Sequence, residues 1–485
     1  MKRTKHSLSH YLLSTFDMGQ LVPVGHFEVL PGDSIRMSTS SLLRVSPLLT
    51  PVMHPVQVRI HHWFVPFRVL WPEWEDFITG ADPEAELPLM GPTTNALSLA
   101  DYFGLPPGGM ASQEVVAWPW MAYNLIWNEF YRDQDLQTPV DNDPTTAINN
   151  GVLNVAWEKD YFTAARPWTQ KGPEVTLPLG GTAPVQPSSG LPPTFLLGTS
   201  TPQALAYANA QQGVDWEGPT PGSSGSATWA DPRLEADLSA ATAVGVNDVR
   251  LAFALQRYQE ARAQYGSRYT EYLRYLGVRS SDARLQRPEY LGGGKSTIAF
   301  SEVLRTGNSD DEVTEGVVGE MKGHGISAVR TRRWVRFFEE HGIVMALASI
   351  RPRSMYESGT ARSWHRKTKE DYWQRELEQI GQQEVYRKEV YAQGGSLDTV
   401  FGYQDRYAEY RHHQSYVTGE FRDVLNDWHL ARIFGSAPAL NSDFVTCVPS
   451  KRIHAAQENN TIWSMFSHSI QARRMVGKRT IGRIF

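Results

Sequence analysis

Cysteine is almost absent: Cys447 is the single one in 485 residues. A lone thiol closes no internal disulfide, so stability must come from packing and association, which fits folding in a reducing cytoplasm. In its context, FVTCV, Cys447 reads as a small core residue. Long apolar runs are scarce as well. The longest, Ile343 to Ile350, is far too short to span a bilayer, so no membrane insertion is expected. The basic opening MKRTKHSLSHYLLSTFD has neither an extended apolar run nor a small-residue cleavage site and does not read as a signal peptide. Neither sign of charge dominates: 47 Lys and Arg against 52 Asp and Glu leave a net charge of −5. Nucleic-acid binding is therefore not a property of the composition, and any such contact must come from local basic patches.

Catalytic and metal-binding patterns are missing too. GGGKST at 292–297 invites a phosphate-loop reading, but the position that should hold the leading glycine is Glu289, whose carboxylate repels phosphate. The residues that follow, STIAFSEV, read as a strand and not as the helix whose N-terminus holds the anion, so the glycines are expected to form a flexible turn. His61-His62 and His412-His413 are adjacent pairs, and adjacent strand residues point to opposite faces, so neither pair chelates one ion. The acidic run Asp310, Asp311, Glu312 and Glu315 lacks the alternation of a calcium loop and reads as solvated. No GxSxG occurs. The chain is read as no enzyme, with no catalytic residue, metal or cofactor assigned.

What is present is β structure with elaborate loops, favoured by fifteen Trp and thirty Pro. Val56, Val58, Ile60, His62 and Phe64 alternate with Gln57, Arg59, His61 and Trp63, the period of a two-faced strand, and Ile35, Met37 and Thr39 alternate similarly. Prolines 47, 51, 55, 66 and 72 fall at strand ends. A helix is predicted near Pro119, with Trp120, Tyr123, Trp127 and Tyr131 in one stripe. Further strands are predicted at Val152–Phe162, Ala328–Phe338, Gly342–Ile350, Phe444–Val448 and Ile462–Ile470, and a polar helical excursion from Trp364 to Gly394. Pro178 to Asp231, rich in Pro, Gly, Ser, Thr and Ala, should be an exposed loop without a core of its own. Short strands from both ends of the chain, separated by very long loops, suit an antiparallel sandwich; pattern alone also allows a β-rich enzyme with helical lids.

Between Val249 and Gly294 lie two predicted helices broken at Gly266. The first carries Leu251, Leu255 and Tyr258, with Asn247 or Asp248 placed to cap its start. The second carries Tyr269, Tyr272, Leu273 and Leu276 and stops at Gly277, where a left-handed C-terminal cap belongs. The stretch is full of Tyr and Arg, the residues that dominate contact surfaces. Its phrase GSRYTEYLRYLGVRSSDARLQRPEYLGG closely resembles one in the major capsid protein of the Microviridae, the small icosahedral single-stranded DNA phages. Ser9 to Pro23 with PGDSIRM, YFTAARPWTQKGPEV, and FGYQDRYAEYRHHQSYVTGEFRDVLNDWHLAR resemble other phrases of that family. Pro178 to Asp231 does not match.

The resemblance implies a mainly β fold, an eight-stranded antiparallel jelly roll with very long, partly helical loop insertions. Residues 1–162 would hold an N-terminal arm and the first strands with a helical insertion. Residues 163–325 would form one large inter-strand insertion, including the variable loop 178–231 and helices over 248–276. Residues 326–485 would supply the remaining strands, a polar insertion at 355–440 and a basic tail. It further implies self-assembly into a T=1 shell of sixty copies around circular single-stranded DNA. Partners would be copies of itself, the genome, internal DNA-binding, scaffolding and pilot proteins, and a host surface receptor.

Candidate subunit contacts are Tyr258, Tyr265, Arg268, Tyr269, Tyr272 and Tyr290, for which packing inside the subunit is the alternative. Candidate DNA contacts are Lys2, Arg3, Lys5, Arg473, Arg474, Lys478, Arg479 and Arg483, with Tyr11, Phe16 and Phe485 placed to stack on bases; the alternative is a pair of solvated tails. Trp216 and Trp229 in the variable loop are candidate host contacts, although a buried anchor inside the loop is the favoured role. The aromatic content and long loops also admit a carbohydrate-active enzyme or lectin on a β-sandwich.

Overall fold

The computed structural model describes residues 3–82, 84–93, 95–108, 114–144, 148–149, 151–175, 185–187, 194–197, 202–207, 214–216, 227–231, 234–236, 246–306 and 319–477. The chain divides into two compact units, residues 172–259 and the remainder.

In the larger unit the chain begins with β1 (Thr4–Ser7), β2 (His10–Phe16), β3 (Leu21–Val29), β4 (Ser34–Val45) and β5 (Val56–Pro66). After a long insertion come β6 (Glu289–Thr297), β7 (Ala299–Leu304), β8 (Met321–Arg330), β9 (Trp334–Phe337) and β10 (Gly342–Pro352), and finally β11 (Ile462–Arg474). They form two antiparallel sheets. In the first, β1 and β2 both pair with β11, β11 with β4, β4 with β8 and β9, and β8 with β7. The order in the second is β6-β5-β10-β3. The β11–β4 ladder runs unbroken from Ile462↔Val45 to Arg473↔Ser34.

Alternation decides which face each strand buries. Ile35, Met37 and Leu43 of β4, Phe466 and Ile470 of β11, Val58 and Ile60 of β5, and Val344, Ala346 and Ile350 of β10 meet in one core between the sheets. The opposite face of the second sheet is buried as well. Trp63, Val65, Ile343, Met345 and Leu347 pack against α1 (Trp118–Phe130), whose Trp120, Tyr123, Ile126 and Trp127 lie in the same cluster. Burial on both faces is why Ile343–Ile350 reads as an apolar run interrupted only by Ser349. The Tyr123 hydroxyl donates to the Leu21 carbonyl at 2.7 Å and accepts from the Leu153 N–H at 2.9 Å, tying helix to sheet. Cys447 is fully buried in this second cluster, and burial pushes its thiol up to about 12.

A polar chain crosses the core. Thr39 Oγ1 on β4 lies 2.9 Å from His62 Nε2 on β5 and 2.9 Å from His468 Nδ1 on β11. His468 Nε2 lies 2.6 Å from the Val24 carbonyl on β3. A carbonyl only accepts, so His468 carries its proton on Nε2, Nδ1 accepts from the Thr39 hydroxyl, and that hydroxyl accepts from His62. The chain links the two sheets with both histidines neutral.

Several expectations need correction. Val152–Phe162 forms no regular strand: it is bonded to its neighbours around two isolated bridges, Asn154 to Gln20 and Ala156 to Thr446; Asp160 Oδ1 then accepts from the N–H groups of Phe162 and Thr163 and turns the chain. Phe444–Val448 begins inside a helical turn, Ser442–Val445, because Asn441 Oδ1 caps the Phe444 N–H at 3.0 Å. Ala328–Phe338 is the end of β8 plus β9, broken where Thr331 bonds Thr39 through both its N–H and its hydroxyl. Trp364–Gly394 is not mainly helical. It contains 3₁₀ turns, a strand Gln382–Tyr386 paired with Val400–Asp405, and one α-turn, Arg387–Val390. It is organised by charge: Arg362 pairs with Glu389 at 3.0 Å, and Arg366 pairs with Glu409 and stacks 4.3 Å from the Tyr410 ring. The triple glycine is not a turn either. It lies in β6 beside a bulge between Tyr290 and Gly292, and a Cβ on Gly293 would sit 2.4 Å from the Ile60 carbonyl oxygen. The acidic run at 310–315 lies outside the described residues.

In the smaller unit, the segment expected to be a plain loop holds a four-stranded antiparallel sheet, ordered Val214–Trp216, Pro202–Tyr207, Thr194–Leu197, Ala227–Asp231, and a strand pair Val185–Pro187 with Leu234–Ala236. Short runs such as TFLL and PQALAY pair within a segment rich in Pro and Gly.

Candidate functional site

The basic clusters from the two ends of the sequence meet. β1 pairs with the last residues of β11, placing Lys5 directly opposite Arg473 and Thr4 opposite Arg474. The four described cations divide by role. Arg474 Nε donates to Asp33 Oδ2 at 2.9 Å, and its other nitrogen reaches the Glu28 carbonyl, so it clamps the β3–β4 turn around a fully buried carboxylate. Arg3 donates to the Gly32 carbonyl and Ser34 hydroxyl, each at 2.9 Å, and lies 5.5 Å from the Phe337 ring. Lys5 and Arg473 are exposed, on one face. Lys2, Lys478, Arg479, Arg483 and Phe485 lie outside the described residues. Of the stacking candidates, Tyr11 is 76% exposed, whereas Phe16 is buried in the core.

The predicted helices are α2 (Val246–Tyr265) and α3 (Tyr269–Tyr275). α2 starts one residue before Asn247, so Asn247 and Asp248 lie in its first turn and not at its cap. Gly266 and Gly277 both have positive φ, as the sequence required of the break and the stop. Most of the apolar stripes are exposed, Leu251, Leu255, Tyr258, Tyr265, Tyr269 and Leu276 among them, while Leu273 is half-buried. Tyr272 is half-buried, with the Arg262 guanidinium 5.8 Å from its ring. Arg268 turns inward and donates to the Asn128 carbonyl at 2.7 Å. Tyr290 is half exposed and lies 5.1 Å from Trp63 and 5.6 Å from His61. The backbones of Trp216 and Trp229 lie on strands of the smaller unit, in register with Leu205 and Phe195.

Sequence reasoning missed a third surface. The outer face of the first sheet carries Arg36 and Arg44 of β4 and Arg330 of β8, all exposed. The signal was available within β4, where both arginines stand out of phase with Ile35, Met37 and Leu43. Their convergence with Arg330 depends on pairing across almost 300 residues and was not available.

No group of His, Cys, Asp and Glu that would hold a metal ion occurs among the described residues, and no described helix is long and apolar enough to cross a membrane. The histidines 61 and 62 face opposite ways, toward Tyr131 and Thr39. A mainly β, antiparallel sandwich with large insertions and exposed apolar helices is the architecture of the viral-shell class of structural proteins. The comparisons make this specific: the chain belongs to the phage capsid protein (F protein) family, whose profile matches residues 1–479. It is 34% identical to the capsid protein VP1 of Bdellovibrio phage phiMH2K over 91% of this chain and 87% of the relative. Against VP1 of Chlamydia phage 1 the identity is 33%, over 92% and 89%. Against VP1 of Spiroplasma virus 4 it is 29%, over 91% and 87%. The Microviridae resemblance holds across the chain. The protein is a structural capsid component of the virion, and the lectin or carbohydrate-enzyme alternative is left without support.

Proposed function

We propose that the chain is a jelly-roll subunit that closes, in sixty copies, into a T=1 shell around circular single-stranded DNA. The observation that carries the reading is strand order. Taking β1 with β2 as one strand and β8 with β9 as another, and leaving the edge strand β7 aside, eight strands remain. Numbered along the chain, they fall in the orders 1-8-3-6 and 2-7-4-5. Successive strands alternate between the sheets except at the fourth and fifth, an order that supports a double Greek-key, jelly-roll winding. The stiff sandwich supplies the wall, and the insertions supply contacts between neighbours. Many modest contacts, repeated by symmetry, then give a durable container.

The exposed stripe of α3 is proposed to bind a neighbouring copy. Replacing Tyr269 and Leu276 by Ala should leave subunit stability within about 0.5 kcal/mol, because both side chains are exposed. The same change should cost about 2 kcal/mol per anchor in each contact, enough to lower particle yield on a density gradient more than tenfold. An unchanged yield would remove this surface from the assembly. Residues 178–231 are proposed to contact the host receptor. Deleting them should abolish adsorption while shells still form; adsorption at the normal rate would end that assignment. Internal DNA-binding, scaffolding and pilot proteins remain proposed partners with no surface assigned.

A further inference from the structure

Charge is unevenly divided where β5 ends. Between Arg68 and Arg132 the chain holds no Lys, Arg or His. The short helix Trp74–Thr79 and the turn after it gather Glu73, Glu75, Asp76, Asp82, Glu84 and Glu86, all exposed and none in a salt bridge among the described residues. Ile78 stands in their midst, 49% exposed. Glu75, three residues earlier, shares its side of the helix. The patch is an apolar knob ringed by acids.

The strap that follows α3 has the opposite character. Leu273, Val278 and Leu285 line a cavity of about 720 Å³ together with Arg274 and Arg279, and Arg284 precedes Leu285 in the chain. Arg274, Arg279 and Arg284 are exposed and form no salt bridge among the described residues. The acid in the cavity wall, Asp282, accepts from Arg287 Nε at 2.7 Å, and the Arg287 guanidinium lies 4.6 Å from the Phe130 ring of α1. The strap is therefore anchored, with an apolar floor and a cationic rim. The two patches are neighbours. Arg68 donates to Gln286 of the strap and to Glu340 at 2.6 Å; its charge is stabilised first by the Glu340 bond and further by Glu75. No salt bridge joins the acids of 73–86 to Arg274, Arg279 or Arg284 among the described residues. A free anion would answer the rim and not the leucines. A second copy answers both, because an acid-ringed knob beside an Arg-rimmed cavity is complementary to its own image after half a rotation. Exposed ion pairs contribute only about 0–1 kcal/mol each, so the charges set register and partner, and the apolar insertion carries the affinity.

We propose that this surface is a two-fold contact between copies of the chain. Ile78 of each copy enters the Leu273–Leu285 cavity of the other, and the acids of 73–86 meet Arg274, Arg279 and Arg284. The inference rests on the shell-subunit reading and deepens it by naming both sides of one contact and its symmetry. Leu276, already assigned to a neighbouring copy, adjoins Gly277 of the same cavity.

The test is a cross-link that counts chains. A variant carrying Ile78→Cys and Val278→Cys is assembled, oxidised and run on a non-reducing denaturing gel; the native Cys447 is buried and does not compete. A two-fold contact joins the same two chains through both bonds, so the product stops at dimer. A ladder running on to trimers and pentamers would place the contact in a ring, and no cross-link at all would remove it; either result overturns the proposal. Charge reversal gives an independent reading. Arg274→Glu, Arg279→Glu and Arg284→Glu combined should lower particle yield more than about tenfold, as should Glu75→Lys, Asp82→Lys and Glu84→Lys combined, because like charges are then juxtaposed. Circular dichroism and thermal unfolding should stay as in the wild type, since all these side chains are exposed. Mixing the two variants in equal amounts should restore particles, because every two-fold pair can take one of each, which a ring of three or five cannot. Wild-type yield from the Arg→Glu variant would make the cavity a site for something other than a second copy and overturn the inference, as would failure of the mixture to assemble. A wild-type protein that never forms particles would defeat the shell reading. The cross-link in free subunits then decides the pairing, a dimer supporting it and a monomer ending it.

Discussion

Acidification from pH 6.5 to about 4 should unfold the free subunit. Burial drives His54, His61, His454 and His468 down to about 4 and His62 down to about 3. In the unfolded chain each returns to about 6.5. The direction follows from proton counting. Below 6.5 the unfolded state takes up protons that the folded state refuses, so the stabilisation is complete above 6.5 and falls as the pH drops toward the folded values. Each group contributes a slope of about 1.4 kcal/mol per pH unit in that window. Five together reach about 7 kcal/mol per unit, and a domain with 5–15 kcal/mol of stability runs out within about two units. The depressed carboxyls of Asp133 and Asp135, held down by Lys159, Arg166 and Lys171 against their burial, add losses only at lower pH. The histidine chain between the sheets gives the effect a location, since protonating His468 at Nδ1 removes the acceptor that the Thr39 hydroxyl uses. Urea unfolding at pH 7, 6 and 5 measures the slope. A double His62→Gln, His468→Gln variant should flatten it by about two-fifths. Equal stability at pH 7 and pH 5 would contradict the assignment.

Removing Arg362 should be the most damaging single change in the polar insertion. Its partner Glu389 is fully buried on a one-turn helix and accepts from the Tyr386 N–H at 2.9 Å and the Tyr161 hydroxyl at 3.1 Å. Burial already pushes the Glu389 carboxyl up, and Arg362 is the main force holding it down. Arg362→Met leaves that carboxylate without its counter-charge, which costs about 3–5 kcal/mol. The double variant Arg362→Met, Glu389→Leu should recover much of the loss, because the burial penalty of both ions disappears with them. Thermal unfolding of the two singles and the double closes the cycle. A double variant as unstable as the worse single would show that the pair's geometry, and not its charge, organises the segment.

The elements legible in the sequence are those whose pattern is set by a sheet face. β4, β5, β10 and β11 announce themselves by alternation or by an apolar run, and the Trp-rich stripe of α1 by its spacing. Val152–Phe162 and Phe444–Val448 mislead because their composition is strand-like while a local side chain, Asp160 or Asn441, claims the backbone N–H groups. Trp364–Gly394 misleads in another way: its many Glu, Gln, Arg and Lys favour helix locally, but ion pairs and Arg–Tyr stacking with residues 386–410 decide its path. For the surfaces, the terminal basic clusters are visible as charge, yet nothing in the sequence tells that Arg474 is consumed by Asp33 while Arg473, one residue earlier, is not. Alternation along β11 makes that division, and it is apparent only once the strand is paired.

The pairing of β1 with the end of β11 has one more consequence. With Lys5 beside Arg473 and Thr4 beside Arg474, the start of β1 and the end of β11 lie at the same corner of the first sheet. In a closed particle those two strand ends would share an address, both on the lumen side or both outside. A bulky maleimide offered to intact particles would label Lys5→Cys and Arg473→Cys variants alike or spare both, since the native Cys447 is buried.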